Sequence, residues 1–234
     1  MTQTTMSHPE VDKTVALTPE LMRYARDQAG PLTAAQRELI DETVALGAIA
    51  EMRIPSEQGV LLTMLARLTS ARTVLEVGTF TGYSTMALAD GVGPGGVVFT
   101  CDVTDRWADI AAAAWRQAGV ADRIEPLFGP AGETLRRFPE FPLFDMAFVD
   151  ADKVGYLDYW EALVPRIRPG GLLIADNVLY QGEAASLTAT GNARAIREFN
   201  EHVLADDRVE SVLLTVADGL TLARKKTQRQ RVTR

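Results

Sequence analysis

The chain is poor in the residues that build many metal and nucleophile sites. Of its 234 residues one is cysteine, Cys101, and two are histidine, His8 and His202. A single thiol excludes an intrachain disulfide and a cysteine-rich metal site. His8 falls in a polar N-terminal stretch and His202 in a helical pattern, so neither a histidine-based triad nor a His-rich zinc site is expected. No run of about 18 apolar residues occurs, which predicts no membrane span. The opening MTQTTMSHPEVDK lacks the apolar stretch of a signal peptide, so a cytoplasmic protein is expected. The net charge of −7 argues against a nucleic-acid partner.

What is present is ordinary globular material: 47% apolar and 24% charged residues, enough for one sizeable core. No repeat, low-complexity tract or internal linker divides it. The reading is a disordered start (1–16), one domain (17–226) and a basic, flexible tail (227–234). Within the domain, 17–70 is helical. Its third piece, SEQGVLLTMLARLTS, puts Leu61, Met64, Leu65 and Leu68 on one face, with Ser56 as the expected N-cap.

From residue 73 the pattern changes to strand and helix in alternation. TVLEVG, GVVFTCD, FDMAFVD and GGLLIAD are short apolar runs without alternation, as buried parallel strands require. IEPLFG is a weaker strand. Between the second and third strands, Trp107, Ile110, Ala111, Ala114, Trp115 and Ala118 form one helical stripe. YLDYWEALVPRI predicts a helix that stops at Pro169-Gly170-Gly171. The two apolar runs of VESVLLTVADGLTLARKK are split by Asp218-Gly219, a hairpin signal. The fold expected is therefore α/β: a mostly parallel seven-stranded sheet, helices on both faces and a C-terminal antiparallel hairpin. This order of elements resembles the class I methyltransferase fold.

Ligands of such sheets sit beyond the carboxyl ends of the strands. The first strand runs into Glu76-Val77-Gly78-Thr79-Phe80-Thr81-Gly82-Tyr83-Ser84, where Gly78 and Gly82 permit a tight turn and a close ligand. The spacing matches neither GxGxxG nor GxxxxGK[ST]. Glu76 lies inside an apolar run, so its carboxylate needs a partner, either a ligand amine or backbone NH groups. Asp102 ends the second strand, where an acid either accepts both hydroxyls of a ribose or caps a helix starting near Thr104. Asp150 and the pair Asp176-Asn177 end two further strands. If those strands are neighbours, about 5 Å apart, three oxygens converge. Such a set suits Mg²⁺ or another hard divalent cation; the other reading is that these acids cap the following helices.

At these residues the sequence resembles the cation-dependent O-methyltransferase family, which includes caffeoyl-CoA and catechol O-methyltransferases. MRIPSEQGVLL, VLEVGTFTGYS, the acid of CDV, GPA, FVDADKVGYLDY, GGLLIADN and ADGLTLARKK carry the resemblance, in family order from about Leu17 to Lys226. The resemblance implies that Ile54, Glu76, Gly78, Thr79, Ser84, Asp102, Ala131 and Asp152 line an S-adenosylmethionine site. It assigns Asp150, Asp176 and Asn177 to a divalent cation (Mg²⁺ first, then Ca²⁺ or Mn²⁺) and makes Lys153, with Asn177, catalytic. Tyr156 and Gln181 fall at the acceptor pocket, Gln181 where the plant enzymes carry Asn. The implied reaction is methylation of a catechol-like or caffeoyl-like hydroxyl, with Lys153 as general base and a homodimer as the working unit. Two other readings remain open at this point: a nicotinamide-dependent oxidoreductase and a non-catalytic cofactor-binding module.

Overall fold

The first sheet strand, β1 (Thr73–Val77), is buried along nearly its whole length, and that burial follows from its place at the middle of the sheet. In this computed structural model, which describes residues 15–227, seven strands are ordered β3-β2-β1-β4-β5-β7-β6. The others are β2 (Val97–Asp102), β3 (Ile124–Phe128), β4 (Phe144–Val149), β5 (Ile167–Asp176), β6 (Val209–Leu214) and β7 (Leu220–Lys225). The first five run parallel, and β7 is antiparallel to both β5 and β6. His8, the expected disordered start up to residue 14 and the basic tail from residue 228 lie outside the described residues.

The described residues up to Pro31 form a compact unit of their own, carrying helix α1 (Pro19–Asp27), whose first turn is capped by the Thr18 hydroxyl. The second unit begins at Leu32. It opens with α2 (Ala34–Val44), started by a capping box between Thr33 and Gln36, and α3 (Ser56–Leu68). The remaining helices are α4 (Tyr83–Val92), α5 (Ala108–Gln117), α6 (Ala131–Arg137), α7 (Tyr156–Leu163) and α8 (Gly191–Ala205). Among the described residues no helix is long and apolar enough to cross a membrane.

Alternation along the central strands divides the core between the two sheet faces. Val74, Met146 and Phe148 pack with Leu39 and Leu62 on one side. Leu75, Ala147 and Val149 pack with Trp160 and Phe199 on the other. Each fully buried side chain of this size contributes about 1.5–3 kcal/mol.

Three local expectations are corrected. The buried face of α3 carries Gln58, Gly59, Leu62 and Ala66, whereas Met64 and Leu68 are exposed and Leu61 and Leu65 half-buried. The residue before the helix is Pro55, and Ser56 makes no side-chain cap. Pro165 ends α7 early by denying the ladder an N–H. Pro169-Gly170-Gly171 therefore falls inside β5, where the register with β4 shifts between Phe144 and Met146. The weak candidate IEPLFG is β3, and its Pro126 is tolerated because β3 is an edge strand.

Candidate active site

The chain builds outward from β1 to β3 and then returns to the other side of β1 for β4, so the sheet reverses order between β1 and β4. Such a switch point leaves a crevice at the carboxyl ends of the strands. A cavity of about 1020 Å³ opens there.

One wall is the turn after β1. Gly78 has φ +104°, and a Cβ on it would fall 1.8 Å from the Asp150 carbonyl oxygen, so the turn passes against the end of β4 with no room for a methyl. Gly82, at φ +82°, is covered by the Trp115 indole, whose Nε1–H donates to the Gly82 carbonyl at 3.0 Å. The turn is fastened by Asp102. One carboxylate oxygen accepts from the Thr79 and Phe80 N–H groups (3.1 and 2.9 Å), the other from the Thr104 N–H (3.1 Å). Helix α5 begins only at Ala108, so the helix-capping reading of Asp102 is corrected: it holds the glycine turn. Ile54, Gly78, Thr79, Ser84, Asp102 and Ala131 all line the cavity.

Glu76 is fully buried and is absent from the cavity wall. Its partners within the protein are threonine hydroxyls and not backbone amides. The hydroxyls of Thr85 and Thr100 (the latter at 2.6 Å) both donate to Oε2, and Oε1 has no partner. Burial pushes its carboxyl up to about 7, against the downward pull of the Thr100, Thr85 and Ser84 hydroxyls.

The opposite wall carries Asp150 and Asn177, which follow β4 and β5, two hydrogen-bonded neighbours, while Asp176 at the end of β5 is buried and off the wall. Lys153 reaches between them: its ammonium donates to Asp150 Oδ1 at 3.2 Å, Asn177 Oδ1 at 2.7 Å and the Tyr156 hydroxyl at 2.9 Å. Asp176 accepts from the Gln58 side-chain amide at 2.6 Å and from the Asn177 N–H at 2.7 Å. Neither Asp150 nor Asp176 caps a helix. Burial raises the carboxyls of both, and the nearby charge of Asp150 raises Asp176 further. Two carboxylates and an amide oxygen, of which Asp150 and Asn177 hold the Lys153 ammonium, are a donor set that fits a hard divalent cation.

Asp152 does act as a cap. It accepts from the Gly155 N–H at 3.0 Å and from the Tyr159 hydroxyl at 2.6 Å, while still lining the cavity. Tyr156 is not on the wall. It is buried below Lys153, and its hydroxyl donates to the Asp176 carbonyl at 2.9 Å. The structure thus gives Tyr156 a supporting place rather than the acceptor contact expected from sequence. Gln181 lines the far end with Tyr180 and Asp218. Asn177, Tyr180 and Gln181 have φ of 52°, 48° and 54°, left-handed values that non-glycine residues rarely adopt. The Gln181 N–H donates to Asp218 Oδ1 at 2.6 Å, which ties this loop to the β6–β7 turn.

Sequence reasoning gave no site role to Gln58, Tyr159 or Asp218. It also passed over Arg53, stacked 5.0 Å above the Tyr83 ring at the cavity mouth. Gln58 carried one signal, an uncharged amide in a helix otherwise rich in leucine. His202 is remote in role: it pairs with Glu161 on the surface.

The sequence matches the O-methyltransferase family model over residues 28–226. It is 35% identical over 221 residues to "Probable caffeoyl-CoA O-methyltransferase 1" of Dictyostelium discoideum, covering 92% of this chain and 96% of that protein. Among solved structures, the O-methyltransferase of Bacillus cereus in complex with SAH aligns with TM-score 0.81 at 32% identity, covering 88% of this chain and 97% of that one. An O-methyltransferase of Streptomyces achromogenes involved in tomaymycin synthesis, in complex with SAM, aligns with TM-score 0.81 at 29% identity, covering 89% and 96%.

Proposed function

The chain belongs to the O-methyltransferase family, and from that premise we propose that it moves a methyl group from S-adenosylmethionine to one hydroxyl of a catechol-like or caffeoyl-like aromatic acceptor, with the help of a divalent cation. Family membership sets aside the nicotinamide-dependent oxidoreductase and the non-catalytic module.

The observation that carries the cation is the Lys153 ammonium resting on the oxygens of Asp150 and Asn177. These oxygens thus already face a positive charge supplied by the protein itself. Asp150, Asp176 and Asn177 are the residues that would hold the ion, with Mg²⁺ the first choice and Ca²⁺ or Mn²⁺ the other hard candidates. When bound, S-adenosylmethionine supplies an electrophilic sulfonium methyl, and the cation supplies charge that lowers the pKa of an acceptor hydroxyl.

The chain's own residues do the rest. The Gly78–Gly82 turn and Ala131 leave backbone open to the donor, and Asp102 both fastens that turn and offers its remaining lone pairs to ribose hydroxyls. Asp152, held by Tyr159 and Gly155, keeps its carboxylate at the cavity for the donor's amino group. Lys153, in its neutral amine form, takes the acceptor's proton and becomes the ammonium, and Tyr156 below it touches that nitrogen. Gln181 lines the acceptor end. Neither an activated Ser, Cys nor His is needed, and Cys101, buried with its thiol pushed up to about 12, is not one.

The reading is tested by incubating the protein with S-adenosylmethionine and a panel of catechols, with and without Mg²⁺, and reading products by mass spectrometry for one added CH₂. Absence of methylated product from every vicinal diol would remove the acceptor class. The proposal includes a cytoplasmic homodimer; Val212 and Leu213, exposed on edge strand β6, are candidate contacts. Light scattering at the mass of one chain would remove the dimer.

A further inference from the structure

We infer that Gln58 is a positioning residue of the cation site, holding the Asp176 carboxylate in the orientation that ligation requires. The inference rests on the cation-dependent reading above. Gln58 comes from α3, well before the sheet in sequence, and is fully buried. Its Nε2 donates to Asp176 Oδ2 at 2.6 Å, while Asp176 Oδ1 accepts from the Asn177 N–H at 2.7 Å. Both oxygens of this acid are therefore pinned before any cation arrives, one by the neighbouring backbone and one by a side chain 118 residues distant.

Two features separate this contact from ordinary packing. First, the buried Gln58 Oε1 has no hydrogen-bond partner. An amide with its acceptor unmet is a poor choice for stability alone. The positions sharing its face, Leu62 and Ala66, are apolar. Second, the donor is neutral. A lysine or arginine here would orient the carboxylate equally well but would cancel the charge a cation needs. An amide orients it and leaves that charge in place. Partners of this kind behind a metal ligand typically change metal affinity by about 10–100-fold when removed.

The test is calorimetric titration of Mn²⁺ into wild type and Gln58→Met, a change that keeps side-chain bulk. S-adenosylhomocysteine binding and thermal unfolding are measured alongside. The expected result is Mn²⁺ affinity lower by about 10–100-fold and unchanged S-adenosylhomocysteine affinity, in a variant that is still folded at the assay temperature. Turnover with a catechol should recover at saturating Mg²⁺, so the defect appears in the cation dependence and not in kcat. If Gln58→Met does not fold, Gln58→Asn, whose amide is one methylene too short to reach Asp176, is expected to show the same split. Wild-type Mn²⁺ affinity in the folded variant overturns the inference. Failure of the wild-type protein to bind Mn²⁺ at all overturns the cation-dependent reading as well, and so is distinguishable.

Discussion

The Lys153 ammonium lies 2.7 Å from the Asn177 side-chain oxygen, so a side chain rooted just after β4 closes onto the residue that follows β5. The same nitrogen is 3.2 Å from Asp150 Oδ1. Lys153 therefore contacts two of the three candidate cation ligands, and its replacement has consequences with and without the ion.

Lys153→Met is expected to lower kcat by about 10²–10⁴-fold, the usual range for loss of a general base, with S-adenosylmethionine affinity unchanged. In cation-free buffer the variant should also melt at a lower temperature than wild type, because Asp150 and Asn177 lose their partner. Added Mg²⁺ should narrow that gap. Stopped-assay kinetics and paired melting curves check both arms; wild-type kcat on every catechol tested would take Lys153 off the catalytic list.

Removal of divalent cations by EDTA and dialysis is expected to abolish turnover, and Mg²⁺ to restore it. Full activity in excess chelator would show that Asp150, Asp176 and Asn177 serve the structure alone.

Asp102 binds three backbone N–H groups, so Asp102→Ala should loosen the glycine turn as well as remove a ribose acceptor. Cofactor affinity is expected to fall by about 1–3 kcal/mol, the scale for hydrogen bonds to a charged group, together with a lower melting temperature. Asp102→Asn keeps one carbonyl acceptor and should fall between the two. Unchanged affinity for S-adenosylhomocysteine in either folded variant would confine Asp102 to the turn.

Glu76 predicts a pH dependence. Its folded pKa, about 7, is raised above the ordinary 4.5, so the folded state holds a proton that the unfolded chain releases earlier. The stabilisation from the protonated form is complete below about 4.5 and is lost as pH rises to about 7, a change of about 3 kcal/mol. Glu76→Gln removes the titration while keeping an oxygen for the Thr85 and Thr100 hydroxyls. The variant should gain on wild type between pH 5 and pH 8, read as the difference in unfolding free energy at the two values. A constant difference across that range would mean that Glu76 ionises in the fold as it does in water.

The parallel strands could be read from sequence because burial on both faces leaves a continuous apolar run, as in VLEV and MAFV, and their acids stand at the strand ends where polarity resumes. Sequence brought Asp150 and Asp176 together only if their strands were neighbours, and β4 and β5 are hydrogen-bonded to each other. Side-chain partners were a different matter. Glu76 was recognised as buried, but its threonine partners lie on α4 and β2 and answer to no local pattern. On α3, hydrophobicity selected Met64 and Leu68, which are exposed, over Gln58, which is buried because its carboxylate partner arrives from β5. Periodicity measures a residue's affinity for an apolar interior and is blind to a polar group whose match is supplied by a distant segment. Tyr156 is a similar case: the sequence puts it at the acceptor pocket, whereas it is buried with its hydroxyl on the Asp176 carbonyl.

Position 78 leaves the protein little freedom in how it can diversify. Because a methyl there would collide with the Asp150 carbonyl, the glycine turn and the end of β4 must be inherited together. On the function proposed above, variation in acceptor preference enters elsewhere, through the left-handed stretch at Tyr180 and Gln181 and the Asp218 turn that steadies it. Directed evolution toward new acceptors is best confined to that rim, where substitutions leave the glycine turn and the end of β4 untouched.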